Sequence, residues 1–244
     1  MTEWSGKRYW MVGASEGLGR ALCEKMSRAG IHLVLSARDE ERLAELAEAL
    51  PGPATVAPCD VSDDASVARA AEIAGEVDGV VYLASVYWPL PAQEWDAGKV
   101  TAMCDINFTG CARVLGQVVP GMVARDAGHV LITGSLTAFR GLPGSIGYTA
   151  SKAGLLSLAE CMHYDLRGTG VRVQIVNPGF IRTRQTAKNE FSMPFIMDPD
   201  PAAEIMFDFM QTDRFKKSFP TVFSWVFRLS QFLPDWAYFR MFGR

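Results

Sequence analysis

The sequence predicts an α/β fold, a doubly wound parallel sheet with helices on both faces. Two observations carry that expectation. Short runs that are apolar on both faces alternate with amphipathic segments of helical period, the pattern of strands buried between two helical layers. The first of these runs leads into a glycine-rich turn that opens a helix. With right-handed crossovers, such units wind into a Rossmann-type sheet.

Residues 9–12 form the first buried run. Gly13, Gly17 and Gly19 break it, and Leu18, Leu22, Met26 and Ala29 follow at helical spacing until Gly30, a glycine placed where helices often stop. Residues 32–36 read as the second strand and residues 40–50 as a helix with a charged face, closed by Pro51. The third strand and its helix fall at residues 54–59 and 64–73, and the fourth strand at 79–84. Beyond a loop with Trp88, Pro89 and Pro91, a long helix is expected over residues 99–123. Residues 129–133, 148–166 and 171–176 then give the fifth strand, another helix and the sixth strand.

Composition narrows the function. One domain over residues 1–244 is expected, since α/β folds of about 200–250 residues run as a single unit. A net charge of −3 offers no basis for nucleic-acid binding. Cys23, Cys59, Cys104, Cys111 and Cys161 include no close pair, so reduced thiols are expected rather than a disulfide frame or zinc site. His32, His129 and His163 lack metal-ligand spacing, so no metal is expected. The polar residues 1–7 carry no secretory pattern, and no apolar run reaches the ~18–20 residues of a membrane span, so the expected location is cytoplasmic.

The turn Gly13-Ala-Ser15-Glu16-Gly17-Leu18-Gly19 sits between strand and helix, where a dinucleotide fingerprint belongs. Glycine lets the backbone approach a pyrophosphate, and the helix N-terminus presents free N–H groups to it. At the end of the second strand, Arg38 offers a guanidinium suited to a ribose 2′-phosphate, and Ala37 supplies no carboxylate for ribose hydroxyls. NADP(H) is therefore favoured over NAD(H). The competing reading pairs Arg38 with Asp39, Glu40 or Glu41. Tyr148 and Lys152 lie four apart on a predicted helix and so share a face. An ammonium beside a phenol favours phenolate and should lower the Tyr148 pKa, making it a general acid or base.

With Ser135 thirteen residues before Tyr148, and Asn177-Pro178-Gly179 downstream, residues 7–185 resemble the classical short-chain dehydrogenase/reductase family. The resemblance implies about seven parallel strands, a homodimer or homotetramer, and hydride transfer between NADP(H) and a carbonyl/secondary-alcohol pair. It gives Ser135, Tyr148 and Lys152 the catalytic roles, and Asn107 a water in a proton relay to Lys152. Asp60, Val61 and Ala84 would contact the adenosine; Pro178, Gly179, Ile181 and Thr183 would meet the nicotinamide, with Tyr148 and Lys152 also touching the cofactor. The family implies residues 180–212 as a substrate lid, with 180–196 closing over the substrate. Departures are Val12 for a threonine, Tyr82-Leu-Ala-Ser85 for Asn-Asn-Ala-Gly, and an aromatic tail for the glycine-rich end of the seventh strand. Ser85 is expected to crowd the cofactor, and a sheet-bracing asparagine is missing.

Residues 213–244 form that tail, rich in aromatics and basic residues. Phe219, Val222, Phe223, Val226, Phe227, Ser230 and Leu233 follow helical spacing before Pro234. Three readings stay open: a face packed on its own domain or on another subunit, a roof over an apolar substrate shared with residues 193–196, and an interfacial membrane helix. The aromatic surround suggests an apolar small-molecule substrate. The rival functional class is an NADPH-binding sensor without turnover.

Overall fold

The computed structural model describes residues 4–189 and 192–242. Seven parallel strands form one sheet in the order β3-β2-β1-β4-β5-β6-β7. They are β1 (Arg8–Val12), β2 (His32–Ser36), β3 (Ala54–Val56), β4 (Gly79–Tyr82), β5 (Gly128–Thr133), β6 (Val171–Pro178) and β7 (Lys216–Phe219). The strand order reverses between β1 and β4, which pair in parallel. That reversal opens a crevice at the strands' carboxyl ends, the place where such sheets bind ligands.

Strand alternation divides the core into two layers. Tyr9 and Met11 of β1 face a layer containing α1 (Gly17–Arg28), α2 (Glu40–Ala49) and α7 (Pro199–Met210). Trp10 and Val12 face the other, with α3 (Asp64–Ala74), α5 (Gly110–Ala124) and α6 (Ile146–Asp165). Each layer is built from fully buried aliphatic side chains, which supply the main drive to fold. His129 is buried between Tyr9 Oη and Gln174 Oε1, both at 2.9 Å. Burial there lowers its pKa to about 3, so it stays neutral and structural.

Three expectations are corrected. The helix foreseen over residues 99–123 is interrupted: α4 (Ala97–Cys104) passes into a π-helical turn, Asp105–Thr109, before α5. The sheet has the seven strands that the resemblance implies, the seventh lying within residues 213–244, where β7 pairs with β6 from Ile175↔Lys216 to Pro178↔Phe219. Residues 199–210 of the expected lid form α7, whose Ala202, Ala203, Met206 and Phe209 are buried in the core. Residues 190–191 of that lid lie outside the described residues.

The third concerns the tail. A helix is present, α8 (Thr221–Ser230), followed by α9 (Asp235–Phe242). Phe219 belongs instead to β7, and α8 buries Ser224, Phe227 and Ser230 while Val222 and Val226 face outward. Among the described residues, no helix is long and apolar enough to cross a membrane. The five cysteines are free thiols, with Cys23, Cys59 and Cys111 buried.

Candidate active site

A groove of ≈ 560 Å³ runs across the crevice, within the range of small-molecule and cofactor sites. Gly13, Ser15, Glu16, Gly17, Leu18 and Gly19 line one end, with Arg38, Asp60, Val61 and Ala84 beside them. Tyr148, Lys152, Pro178, Gly179, Ile181 and Thr183 line the other. The glycines are required by close approach. A Cβ on Gly13 would lie 2.5 Å from the Ala84 amide nitrogen, and one on Gly19 would overlap the Gly13 carbonyl oxygen at 2.0 Å. At Gly17, φ is +54° and the Thr183 methyl stands 2.9 Å from a would-be Cβ.

Arg38 lines the groove rather than pairing with its sequence neighbour. The Asp39 carboxylate caps α2 through the Arg42 amide (3.1 Å) and also meets Arg42 Nε (3.1 Å). Asp60 is pushed up by burial, yet hydrogen bonds from Ser62 and the nearby Arg38 charge leave its pKa below the usual value.

Ser135 caps a short 3₁₀ turn after β5, where Thr137 N and Oγ1 donate to its hydroxyl at 3.2 and 3.0 Å. Tyr148 sits in the first turn of α6, and Lys152 one turn on, buried, with Nζ 5.6 Å from the Tyr148 ring centroid. Lys152 Nζ donates to the Thr133 carbonyl at 2.9 Å. Burial lowers Lys152 to about 8. The expected direction for Tyr148 is reversed: burial pushes its phenol up to about 12, and a hydrogen bond with Ser135 offsets only part of that. In the neutral range Tyr148 is thus an acid holding its proton.

Asn107 is fully buried in the π-helical turn. Its Oδ1 accepts from the Val86 amide (2.7 Å), while Nδ2 donates to Val86 O and Ser151 Oγ, both at 3.0 Å. The side chain therefore clamps the loop after β4 onto α6. Tyr82 takes over as a brace: its hydroxyl donates to the Ile106 carbonyl at 2.6 Å, the residue before Asn107.

The comparisons decide the family. The family model described as short chain dehydrogenase matches residues 7–192. The chain belongs to that family. This short-chain dehydrogenase is 37% identical over 242 residues to an uncharacterized oxidoreductase of Myxococcus xanthus, covering 96% of each chain. It is 36% identical to sulfoacetaldehyde reductase 2 of Chromohalobacter salexigens, covering 72% of this chain and 73% of the relative. A solved short-chain dehydrogenase/reductase from Burkholderia phymatum, in complex with NAD, superposes with a TM-score of 0.87 at 25% identity, covering 94% of each chain. The protein is therefore an oxidoreductase with a fold that binds NAD(P).

The groove fits such a dinucleotide. Glycines keep one wall free of side chains, and two buried hydroxyls along it, Ser85 Oγ and Thr133 Oγ1, have no hydrogen-bond partner among the described residues. Residues of the short-chain dehydrogenase that sequence reasoning missed include Arg42 and Arg184, which grip Glu16 at 3.2 and 2.9 Å across the groove mouth. The helix start at Asp39 was the available signal for Arg42, since it places that arginine in the first turn. Nothing local marks Arg184, which reaches Glu16 only through the fold.

Proposed function

We propose that this short-chain dehydrogenase is an NADP(H)-dependent oxidoreductase that interconverts a ketone and a secondary alcohol on an apolar small molecule. The observation that carries it is the convergence of Ser135, Tyr148 and Lys152 at the carboxyl ends of β5 and β6, beside the glycine-lined groove. Bound in that groove, the nicotinamide supplies or accepts the hydride. Gly13, Ser15, Glu16, Gly17, Leu18 and Gly19 hold the pyrophosphate arm, Arg38 the 2′-phosphate, and Asp60, Val61 and Ala84 the adenosine. Pro178, Gly179, Ile181 and Thr183 flank the nicotinamide end.

In the reducing direction Ser135 donates a hydrogen bond to the carbonyl oxygen, and Tyr148 gives that oxygen its proton. Negative charge develops there in the transition state, so both groups act where they lower the barrier. The ammonium of Lys152 stabilises the phenolate left behind. Asn107 fixes the loop after β4, which lines the groove beside α6.

The substrate class rests on the aromatic wall. Gly179 has Leu136, Pro220 and Phe223 within 3.4 Å of a would-be Cβ, and Phe223 packs against Phe180 (6.0 Å) and Phe195 (5.5 Å). Those named wall residues are uncharged, which favours an apolar substrate over an anionic aldehyde of the kind named for the Chromohalobacter relative. Residues 1–244 act as one domain, with the segment before α7 as its lid and a homodimer or homotetramer as its assembly.

Screening apolar ketones and secondary alcohols for NADP(H) absorbance change tests the reading. Turnover of a hydrophobic ketone is expected; NADPH binding with no turnover on any of them would point to a sensor. Arg38→Ala should weaken NADP binding by about 1.5–3 kcal/mol and spare NAD. Equal losses for both cofactors would remove Arg38 from the phosphate site.

A further inference from the structure

Helix α8 is apolar on both sides, Phe223 and Phe227 toward the domain and a second set toward solvent. Its inward face carries Ser224 and Ser230, 1% and 2% exposed, with Phe227 between them. The two serine hydroxyls donate back to Thr221 O and Phe227 O of the same helix, each at 2.7 Å, so they need no partner from the domain. Small inward side chains seat the helix close to the domain. The outward face carries Val222, Trp225, Val226 and Leu229, all exposed and spaced i, i+3, i+4, i+7. The stripe runs on through Phe232, 84% exposed, into Trp236, 75% exposed, and Phe239 of α9. A contiguous apolar surface of this kind marks an interaction site.

Charge decides what it meets. Arg228 lies over the Trp225 ring at 4.5 Å from the centroid, and Arg240 closes the last turn of α9. Asp235 is the sole acid after Asp213 in the sequence, and Arg140 holds its carboxylate at 2.6 Å. If a second copy docked stripe to stripe across a two-fold axis, the one acid that the two tails could offer these arginines is Asp235, which Arg140 already holds. A surface that takes aromatics at its boundary and anions just above suits both features.

We propose that α8 and α9 lie in the headgroup plane of an anionic phospholipid surface, with the Trp225–Leu229–Phe232–Trp236–Phe239 stripe inserted and Arg228 and Arg240 on the headgroups. Phe195, itself 59% exposed, packs on Phe223 of α8, so the segment before α7 adjoins the docked surface. This docking does not depend on the cofactor or substrate reading.

Co-sedimentation of the full chain with vesicles of phosphatidylcholine alone, and of phosphatidylcholine with phosphatidylglycerol, tests it. The protein should pellet with the anionic vesicles, less so as salt rises. Phe232→Ser/Trp236→Ser and Arg228→Gln/Arg240→Gln should each lose at least ~tenfold in partitioning, with unchanged circular dichroism, because every altered side chain is at the surface. Quenching of wild-type tryptophan emission by brominated lipid supports insertion without any substitution. Failure of the wild type to pellet, or equal pelleting of both variants, overturns the proposal. So does light scattering that shows an oligomer broken by Phe232→Ser/Trp236→Ser in a protein that binds no vesicle, which would make the stripe a contact between copies.

Discussion

The groove and the C-terminal helices invert the usual distribution of polarity in opposite senses. At the groove the chain buries an ammonium, a serine hydroxyl and an asparagine amide: Lys152 is 2% exposed, Ser135 6% and Asn107 0%. On α8 and α9 it exposes tryptophan and phenylalanine while serine is buried beside Phe227 and Tyr238. Both arrangements cost stability relative to apolar-in, polar-out packing. The groove offsets its cost through hydrogen bonds, Lys152 to Thr133 and Asn107 to Val86 and Ser151. Among the described residues the outward stripe keeps only partial cover, Arg228 over Trp225 and Tyr238 against Phe239, and stays exposed. Departures of the first kind mark chemistry, and those of the second kind mark a surface awaiting a partner.

The largest effect that sharpens this contrast belongs to the groove. Ser135→Ala removes one donor to the developing oxyanion and should lower kcat by about 10²–10³, with KM for cofactor little changed. A matching rise in cofactor KM would make Ser135 a binding residue instead, a distinction steady-state kinetics draws directly.

Next comes the hinge that holds the tail. Arg140 donates to Ser230 O (2.5 Å), Leu233 O (2.8 Å) and Asp235 Oδ1 (2.6 Å), and stacks 4.0 Å from the Tyr238 ring centroid. Arg140→Ala should destabilise the tail locally by on the order of 2 kcal/mol. Hydrogen exchange should then quicken in α8 and α9 and stay unchanged in α6. Uniform quickening through the sheet would mean the tail is part of the core rather than an appended surface.

A smaller effect follows from the Lys152 ammonium. Its pKa is lowered to about 8 by burial, so the charged form is full near pH 7 and is lost as pH rises through 8. For reduction, kcat/KM for NADPH should fall by about tenfold between pH 7 and 9, because that ratio reports free-enzyme ionisations. Stability moves the other way. The unfolded lysine keeps its proton up to a higher pKa, so the cost of burying the charge shrinks as pH rises above 8. A kcat/KM profile flat to pH 10 would remove the ammonium from the reaction.

Much of this was legible in the sequence, and the gaps have physical reasons. Six strands announce themselves by apolar runs bounded by glycine or proline, but Lys216–Phe219 reads KKSF, an edge strand with one buried side chain and no apolar signal. The π-helical turn has no local signature in Asp105-Ile-Asn-Phe-Thr109; Tyr82, reaching from β4 to the Ile106 carbonyl, helps hold it. Helical period located α8 and could not say which face turns inward, because that depends on what the domain presents to it. Each glycine of the turn and Arg38 were readable, since a strand–glycine–helix passage fixes the local geometry. The ionisation of Tyr148 was misjudged because spacing reveals the neighbouring charge but not the burial that outweighs it.

The proposed reaction turns on Tyr148, half-buried and protonated in the neutral range, as the donor of the proton that accompanies hydride transfer. Single-turnover oxidation of NADPH on an active ketone, in wild type and Tyr148→Phe, tests it most directly. A fall of about 10²–10⁴ in the rate of that step is expected, with cofactor affinity preserved. An unchanged rate in Tyr148→Phe would contradict it.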